Sequence, residues 1–549
     1  MKQKRRTKPA PRLKSYQERF VRETLQRAFK GGSIAWSALN IALFADMGTG
    51  KTPAAILLLE GLRYLLRARN MAEADWPVLL VVPAAVKWNW RAEIRRFAPW
   101  VEETDIVIVE GVKKQRLERL QAISAQPPRY VVVNYETVRV HRDWFQAHPG
   151  FLSLVVDEAH AIKNREARRT VAIKAIEAKC RIALTGTPIT NKPDDLWSLM
   201  HFLDPGVPYL RGVWTGKKDK RKKEIIRYRE ASPEWGSYWS FTDRYCEWER
   251  NRFGARIIGG RNLEELNDRL ESTEVMTRWR RSEVLSLYPI IYNYITLRPT
   301  TEQAQIYDQL AQGYVAYVQR LGRVDWRRIT GLLAQLTYFR RATTLTPREF
   351  ALVTGGHSPA FAPDLDIPIS DRGAKQEWLL HFLNNDLQDG EKVLVFSDWT
   401  ACTRSLVKRL GDSGIATVAV DGSTAHKTRF ELQERFNSDD GVRVFVGSPA
   451  AYEGLNLQAA CYVVFMNLPW RPKDVFQAYS RCHRMGQQRQ VTVLFPTLED
   501  TIDMTMTNTL QQKQRDIDLA IDRGEINAAR LFEITTTEQV LDMIGDKWR

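Results

Sequence analysis

Cysteine is scarce in this sequence and forms no pattern. Five occur in 549 residues (Cys180, Cys246, Cys402, Cys461 and Cys482), an odd number with no Cys-x-x-Cys pair. That argues against a disulfide framework and a zinc ribbon, and fits a reducing compartment. Cys482 has His483 beside it, but no further Cys or His follows at ligand spacing, so no metal site is expected there. Long apolar runs are missing too. The best candidate, "AAILLLEGLRYLL", is broken by Glu60 and Arg63 and falls short of the ~18 uncharged residues of a membrane span, so no membrane is expected. The N-terminal "MKQKRRTKPAPR" is basic but lacks an apolar stretch after it, which excludes a secretory signal. No repeat of fixed period is present.

Hydrophobic residues at 44% and charged residues at 27% suffice for a full core inside an ordinary soluble surface. Lysine plus arginine total 81 against 65 acidic residues, a formal charge of +16. Such a surplus favours a polyanionic partner such as nucleic acid. The length allows roughly three to four compact units of ~150 residues.

Short apolar runs recur at 41–45, 78–82, 106–109, 130–133, 152–156 and 182–184, then again at 393–396, 418–420, 442–446, 462–465 and 491–495. Most are continuous rather than alternating, the signature of strands buried on both faces of a parallel sheet. Two α/β units are therefore expected. Between them lie a basic run, "RGVWTGKKDKRKKEIIRYR" (211–229), and an aromatic, charged stretch, "WGSYWSFTDRYCEWERNRF" (235–253). The aromatic cluster at 235–248 offers either core packing or stacking on bases; packing is the expectation. Helical patterns follow between 300 and 345, and a Gly/Pro/Ser-rich loop at 354–372.

"ALFADMGTGKT" (42–52) ends an apolar run and opens a helical pattern. Gly48 and Gly50 permit the backbone to bend around phosphate and present N–H groups, with Thr49 between them. Lys51 would reach the β- and γ-phosphates and Thr52 would ligate Mg²⁺. Ala45 stands where the strict Gly-x4-Gly-Lys-Thr form has its first glycine. Pro53 suits a helix's first turn. Farther on, "LSLVVDEAH" (152–160) places Asp157 and Glu158 at the C-terminal end of a buried strand, the edge where the phosphate loop also sits. Adjacent carboxylates there can divide two tasks: Asp157 holds Mg²⁺, and Glu158 orients and deprotonates the attacking water.

With these residues in place, the chain resembles a superfamily-two helicase-like ATPase, specifically the Swi/Snf type of DNA translocase. The likeness runs from about residue 13 to 525. "LKSYQ" (13–17) is similar to that family's adenine-recognition motif, which implies Gln17 on the base. "VVPAAVKWNWRAEI" (81–94), "NYET" (134–137), "DEAHAIKN" (157–164) and "LTGTPITNKPDDLWSLMHFLDP" (184–205) follow in family order. The Thr-Gly-Thr segment implies that Thr185 and Thr187 link nucleotide to DNA. "TRWRRSEV" (277–284) resembles the double-arginine helix after the first lobe. "KVLVFSDW" (392–399), "VDGST" (420–424), "EGLNLQAA" (453–460), "QAYSRCHRMGQ" (477–487) and "DTIDMTMTNTLQQKQ" (500–514) complete the set. One departure is "SPAAYEGLNL" (448–457), where Ala451, Tyr452 and Glu453 replace the usual Ala-Gly-Gly.

The resemblance implies two RecA-like parallel-sheet lobes with helical insertions. A basic arm (1–12) precedes lobe 1 (13–286), which carries a basic, helical insertion at about 205–286. Lobe 2 (287–549) carries a helical insertion at about 300–350 and a brace helix at about 498–525. Arg481 and Arg484 become arginine fingers that stabilise charge on the transferring γ-phosphoryl group; on a helix they share one face, with Cys482 a small helix residue, His483 structural and Gln477 in support. ATP and Mg²⁺ are the implied cofactors. Closing and opening of the lobes would then move a monomeric motor along double-stranded DNA, including forked or branched DNA, gripped through phosphates. The alternatives are a strand-separating or branch-migrating helicase, an RNA helicase suggested by the DEAH string, and an idle DNA-binding scaffold. A cytoplasmic site in a bacterial or virus-infected cell is expected ahead of a nuclear one.

Overall fold

A computed structural model of the protein describes residues 12–30, 33–186, 193–204, 208–212, 225–229, 234–251, 254–321, 326–452, 454–469 and 472–508. The chain divides into two units, Met1–Ser286 and Leu287–Arg549.

Six strands of the first unit come from the apolar runs: β1 (Ile41–Ala45), β2 (Val78–Val82), β3 (Ile106–Ile108), β4 (Tyr130–Asn134), β5 (Phe151–Asp157) and β6 (Ala178–Thr185). Two antiparallel hairpins follow, β7 (Pro208–Gly212) with β8 (Ile225–Arg229) and β9 (Cys246–Asn251) with β10 (Gly254–Gly260), and then β11 (Met276–Trp279). The seven-stranded sheet runs in the order β11-β1-β6-β5-β2-β4-β3 and is parallel throughout. Its strands read as unbroken apolar runs because both faces are covered. Ile41, Leu43 and Ala45 of β1 enter one core cluster, while Ala42 and Phe44 enter the other. β2 divides in the same way, with Val78, Leu80 and Val82 against Leu79 and Val81.

The second unit contains β12 (Ile291–Leu297), β13 (Val393–Phe396), β14 (Thr417–Val420), β15 (Val444–Gly447), β16 (Tyr462–Phe465) and β17 (Thr492–Leu498). They form one sheet in the order β12-β17-β16-β13-β15-β14, again parallel. The helices Thr301–Leu321 and Trp326–Thr344 lie in the 300–350 region. Ile306, Leu310, Tyr314, Leu336 and Phe339 belong to the same buried cluster as the strands, so these helices are part of that unit's core.

Three segments differ from expectation. The region 205–286 is mixed rather than helical: it holds the two hairpins, the helices Tyr238–Tyr245 and Leu263–Ser272, and β11, which is an integral strand of the main sheet. "TRWRRSEV" is consequently not one helix. Thr277–Trp279 pair with Leu43–Ala45, and only Arg281–Val284 is helical. Extended backbone places buried Trp279 edge-on to Tyr16 and Phe20. The third difference is at the arginine pair. The helix Pro472–Tyr479 ends before it, and residues 480–485 turn instead. The Arg481 carbonyl accepts the N–H of Leu457 at 3.0 Å, which takes it out of any helical ladder.

Packing accounts for most of the aromatic cluster, as Trp235, Phe241 and Tyr245 are buried in the first unit's core. Tyr452, at the departure from the Ala-Gly-Gly pattern, is also buried, edge-on to Phe396 with ring centroids 5.1 Å apart. Residues 502–508 of the expected brace helix are helical, whereas 498 ends β17 and 499–501 turn; residues 509–525, most of the basic arm, most of the 211–229 run, Thr187 and Glu453 lie outside the described residues. Among the described residues, no helix is long and apolar enough to cross a membrane, no group of acidic, His and Cys side chains forms a metal cluster, and the five cysteines are buried and unbridged.

Candidate nucleotide-binding site

Strand order assembles the candidate site of the first unit. β6 lies between β1 and β5, with Phe44 opposite Thr185 and Asp157 opposite Leu184. The phosphate loop after β1, the Thr185–Gly186 turn after β6 and the acidic pair after β5 therefore emerge side by side at one sheet edge. A β-carbon on Gly186 would sit 3.4 Å from the Ala45 carbonyl and 3.8 Å from Lys51 Nζ, so the turn abuts the loop.

Gly48 and Gly50 both adopt positive φ, at 83° and 79°, and Gly50 caps the helix Lys51–Arg67. These positive φ values bend the loop tightly, with Thr49 N donating to the Asp46 carbonyl at 3.3 Å, and the helix N-terminus adds its partial positive charge. Lys51 Nζ donates to the Ala45 carbonyl at 2.6 Å, and Thr49 Oγ1 donates to the Asp46 carbonyl at 2.7 Å.

Two distant segments hold the loop. From the first helix, Ser15–Ala28, Tyr16 OH donates to Thr49 O at 2.7 Å. Gln17 Nε2 donates to Thr49 O at 3.1 Å and Gly50 O at 3.2 Å, while its Oε1 accepts from Lys14 N. Gln17 is buried, and its carboxamide lies on the phosphate loop itself. From the other side, Asp46 N donates to Trp279 O, Arg281 N donates to Asp46 Oδ2 at 2.9 Å, and the Arg281 guanidinium reaches Met47 O at 2.7 Å. Arg278 pairs with Asp46 at 3.5 Å.

The acidic pair is as tightly built. Trp90 Nε1 donates to Asp157 Oδ2 at 2.8 Å and Glu158 N donates to Oδ1 at 2.9 Å, so each carboxylate oxygen accepts one hydrogen bond and keeps a second lone pair. Burial, and next the neighbouring Glu158 charge, push the Asp157 carboxyl up to about 6; the Trp90 bond and the Lys51 charge pull the other way. A divalent cation would favour the charged form still more. Glu158 has φ 51° and ψ 51°, a left-handed conformation costing a non-glycine residue on the order of 1–3 kcal/mol. Tyr135 OH donates to the Asp157 and Glu158 carbonyls and holds the bend. The Glu158 carboxylate lies 3.3 Å from His160 Nδ1, which is 3.4 Å from Thr185 Oγ1. Thr52 begins the helix beside Lys51. The hard oxygen donors of Thr52 and Asp157 suit Mg²⁺.

In the second unit the two arginines differ. Arg481 is 8% exposed, and its guanidinium donates to Gln477 O at 3.0 Å and Leu455 O at 3.3 Å. Arg484 is half-buried on the following turn. Gln477 is buried at the end of the preceding helix. His483 bonds to the Tyr288 carbonyl at 2.9 Å, a structural contact, and Cys482 Sγ donates to Tyr479 O.

The structure thus gathers Gln17, Gly48, Thr49, Gly50, Lys51, Thr52, Asp157 and Glu158 within the first unit, and Gln477, Arg481 and Arg484 within the second. Sequence reasoning had not assigned roles to Tyr16, Trp90, Tyr135, His160, Arg278 or Arg281. All six lie inside quoted motifs, which is the signal that marked them.

Comparison with known proteins identifies the family. The SNF2-related domain matches residues 16–343 and the helicase conserved C-terminal domain matches residues 374–486. The human DNA annealing helicase and endonuclease ZRANB3 is 26% identical over 473 residues, covering 85% of this chain and 37% of that protein. The ISWI chromatin-remodeling complex ATPase ISW2 of Saccharomyces cerevisiae is 26% identical over 514 residues, covering 92% and 42%. A solved SWI2/SNF2 ATPase core of Sulfolobus solfataricus in complex with dsDNA aligns over 97% of both chains at 22% identity, with a TM-score of 0.40. The chain spans about two fifths of the length of these curated relatives. With more than half of its residues inside the first matched domain and the second following in order, the chain belongs to the SNF2 family.

Proposed function

We propose that the protein is an ATP-hydrolysing motor that translocates on double-stranded DNA and remodels DNA or protein–DNA complexes. The observation that carries this reading is the phosphate loop, Lys51, Asp157 and Glu158 converging on one sheet edge of an SNF2-family chain. Lys51 and the loop N–H groups bind the phosphates, and Thr52 and Asp157 hold Mg²⁺. Mg²⁺ held there by Thr52 and Asp157 would supply positive charge to offset the negative charge that develops on the transferring phosphoryl group. Glu158 orients the attacking water and takes its proton at the carboxylate, with His160 fixing the carboxylate's direction. Gln17 serves the nucleotide through the loop carbonyls it holds. In the second unit, Arg484 supplies charge stabilisation to the transferring phosphoryl group, and Arg481 with Gln477 holds the turn that presents it. The net charge of +16 supports a grip on phosphate backbone.

The deciding experiment measures ATP turnover with blunt duplex, single-stranded and forked DNA and with RNA, beside triplex displacement and strand-separation assays. Duplex-stimulated turnover with triplex displacement and no unwinding is expected. Unwinding or junction migration would replace the translocase reading with a helicase one. Lys51→Ala should abolish turnover, and full activity in that variant would remove the phosphate-loop assignment.

A further inference from the structure

The aromatic segment after the first lobe's conserved motifs is not wholly used in packing. Trp239 is 60% exposed, although it sits on the ordered helix Tyr238–Tyr245. Its ring stacks on Trp248 of β9, with centroids 6.2 Å apart and planes 26° from parallel. Tyr238 adjoins it at 5.4 Å. The Arg165 guanidinium lies 4.2 Å over the Tyr238 ring and 6.0 Å from the Trp239 ring.

The helix and two of the rings are anchored. Ser237 caps the helix by accepting Ser240 N, Tyr238 OH donates to Asp194 at 3.1 Å, and Trp248 Nε1 donates to Thr242 O at 3.3 Å. What distinguishes Trp239 from a singly exposed side chain is the second indole stacked on it and the guanidinium at its margin, a grouping that offers an aromatic face to a planar ligand. The charge selects which one. Arg165 already occupies the cation position over the aromatic group, and its own counter-ion is Glu166 at 2.7 Å. A cationic ligand such as a lysine side chain would meet like charge there. Strand alternation directs Glu247 and Glu249 of β9 to the face opposite Trp248. The side that carries Trp239 and Trp248 is therefore aromatic, with the Arg165 guanidinium at one margin and Asp243, one helical turn from Trp239, at another.

We propose that Trp239, Trp248 and Arg165 form a stacking site for an unpaired base of single-stranded DNA, so that the motor holds a displaced or junction strand as well as duplex. A stacked base presents its π-face to the indole while the adjoining phosphate meets the guanidinium. Duplex interiors do not offer that face, since neighbouring bases cover it. Arg165 lies in the segment that continues from Glu158 and His160, so a strand held here adjoins the chain's acidic pair in sequence. The proposal rests on the reading of this protein as a DNA motor.

The test uses the full chain and fluorescence anisotropy with three probes at one salt concentration: labelled oligothymidine, a fork with one single-stranded arm, and a blunt duplex. Trp239→Ala should weaken oligothymidine and fork binding by about 5- to 150-fold, the range for losing one stacked base. Trp239→Phe, which keeps an aromatic face, should retain most of that affinity. Equal oligothymidine binding by Trp239→Ala and the unaltered protein overturns the proposal, as does an equal loss on blunt duplex. Thermal melts of both variants separate misfolding from a lost contact. Duplex-stimulated ATP turnover by the unaltered protein reports on the motor reading separately, so the two can fail independently.

Discussion

Replacing Trp90 by phenylalanine isolates the contribution of one hydrogen bond to metal binding. The indole N–H donates to Asp157 Oδ2 at 2.8 Å inside a buried contact, while Glu158 N donates to the opposite oxygen. A hydrogen bond to a charged group contributes about 1.5–3 kcal/mol, which is roughly 10- to 150-fold in an equilibrium constant at about 1.4 kcal/mol per decade. Partners that orient metal ligands carry about 10- to 100-fold in metal affinity, so the two lines of reasoning agree. Trp90→Phe should raise the Mg²⁺ concentration for half-maximal ATP turnover by one to two decades, with activity largely recovered at saturating Mg²⁺. Trp88→Phe is the control: Trp88 lies on the same helix with Arg91 over its ring at 5.4 Å, and its replacement should leave the Mg²⁺ titration unmoved. Melting curves monitor the packing lost with the smaller ring. A Trp90→Phe enzyme that folds, turns over ATP and titrates with Mg²⁺ as the unaltered protein does would refute the assignment of Asp157 as the oriented metal ligand.

The two arginines of the second unit should separate. Arg484→Ala should lower kcat by on the order of a thousandfold while nucleotide binding persists, as charge stabilisation of phosphoryl transfer predicts. Arg481→Ala should in addition lower the melting temperature, because the buried carbonyls of Gln477 and Leu455 lose their donor at about 1–3 kcal/mol for each unsatisfied group; an unchanged melt would remove its holding role. Gly313→Ala offers a test of packing. Alanine in mid-helix ordinarily gains up to ~1 kcal/mol over glycine, yet here the new methyl would lie 2.3 Å from the Phe361 carbonyl and 3.0 Å from Ala362 Cβ. Overpacking of that kind costs ~1–3 kcal/mol, so denaturant melts followed at the second unit should show a net loss; a gain would mean the 361–362 segment yields freely.

The central strands were legible because burial on both faces leaves an uninterrupted apolar run, as in "VLLVV" and "YVVV". β11 and β12 were not. Each lies at a sheet edge and is only partly covered, and β12 alternates between exposed and half-buried positions with Asn293 in its middle. Single-sequence patterning does not mark such strands, and the helix expected at "TRWRRSEV" came from the family resemblance instead. The phosphate loop was legible because its chemistry is contiguous. Its supports were not, since Trp90 meets Asp157 across 67 positions and Arg281 meets the loop across 235. The resemblance drew attention to those motifs, but only coordinates tell which atom each side chain reaches. The turn at Arg481 escaped for a similar reason, as its carbonyl bonds to Leu457 N–H on a separate segment.

The phosphate loop is clasped by Tyr16 and Gln17 from near the chain's beginning and by Trp279 and Arg281 from the close of the first unit. On the ribosome this imposes an order of events. The loop residues emerge before their second support, which is synthesised 235 positions after Asp46. A nascent chain shorter than that would display the motif without its finished shape, so nucleotide capture should begin only as the last strand of the first sheet is docked.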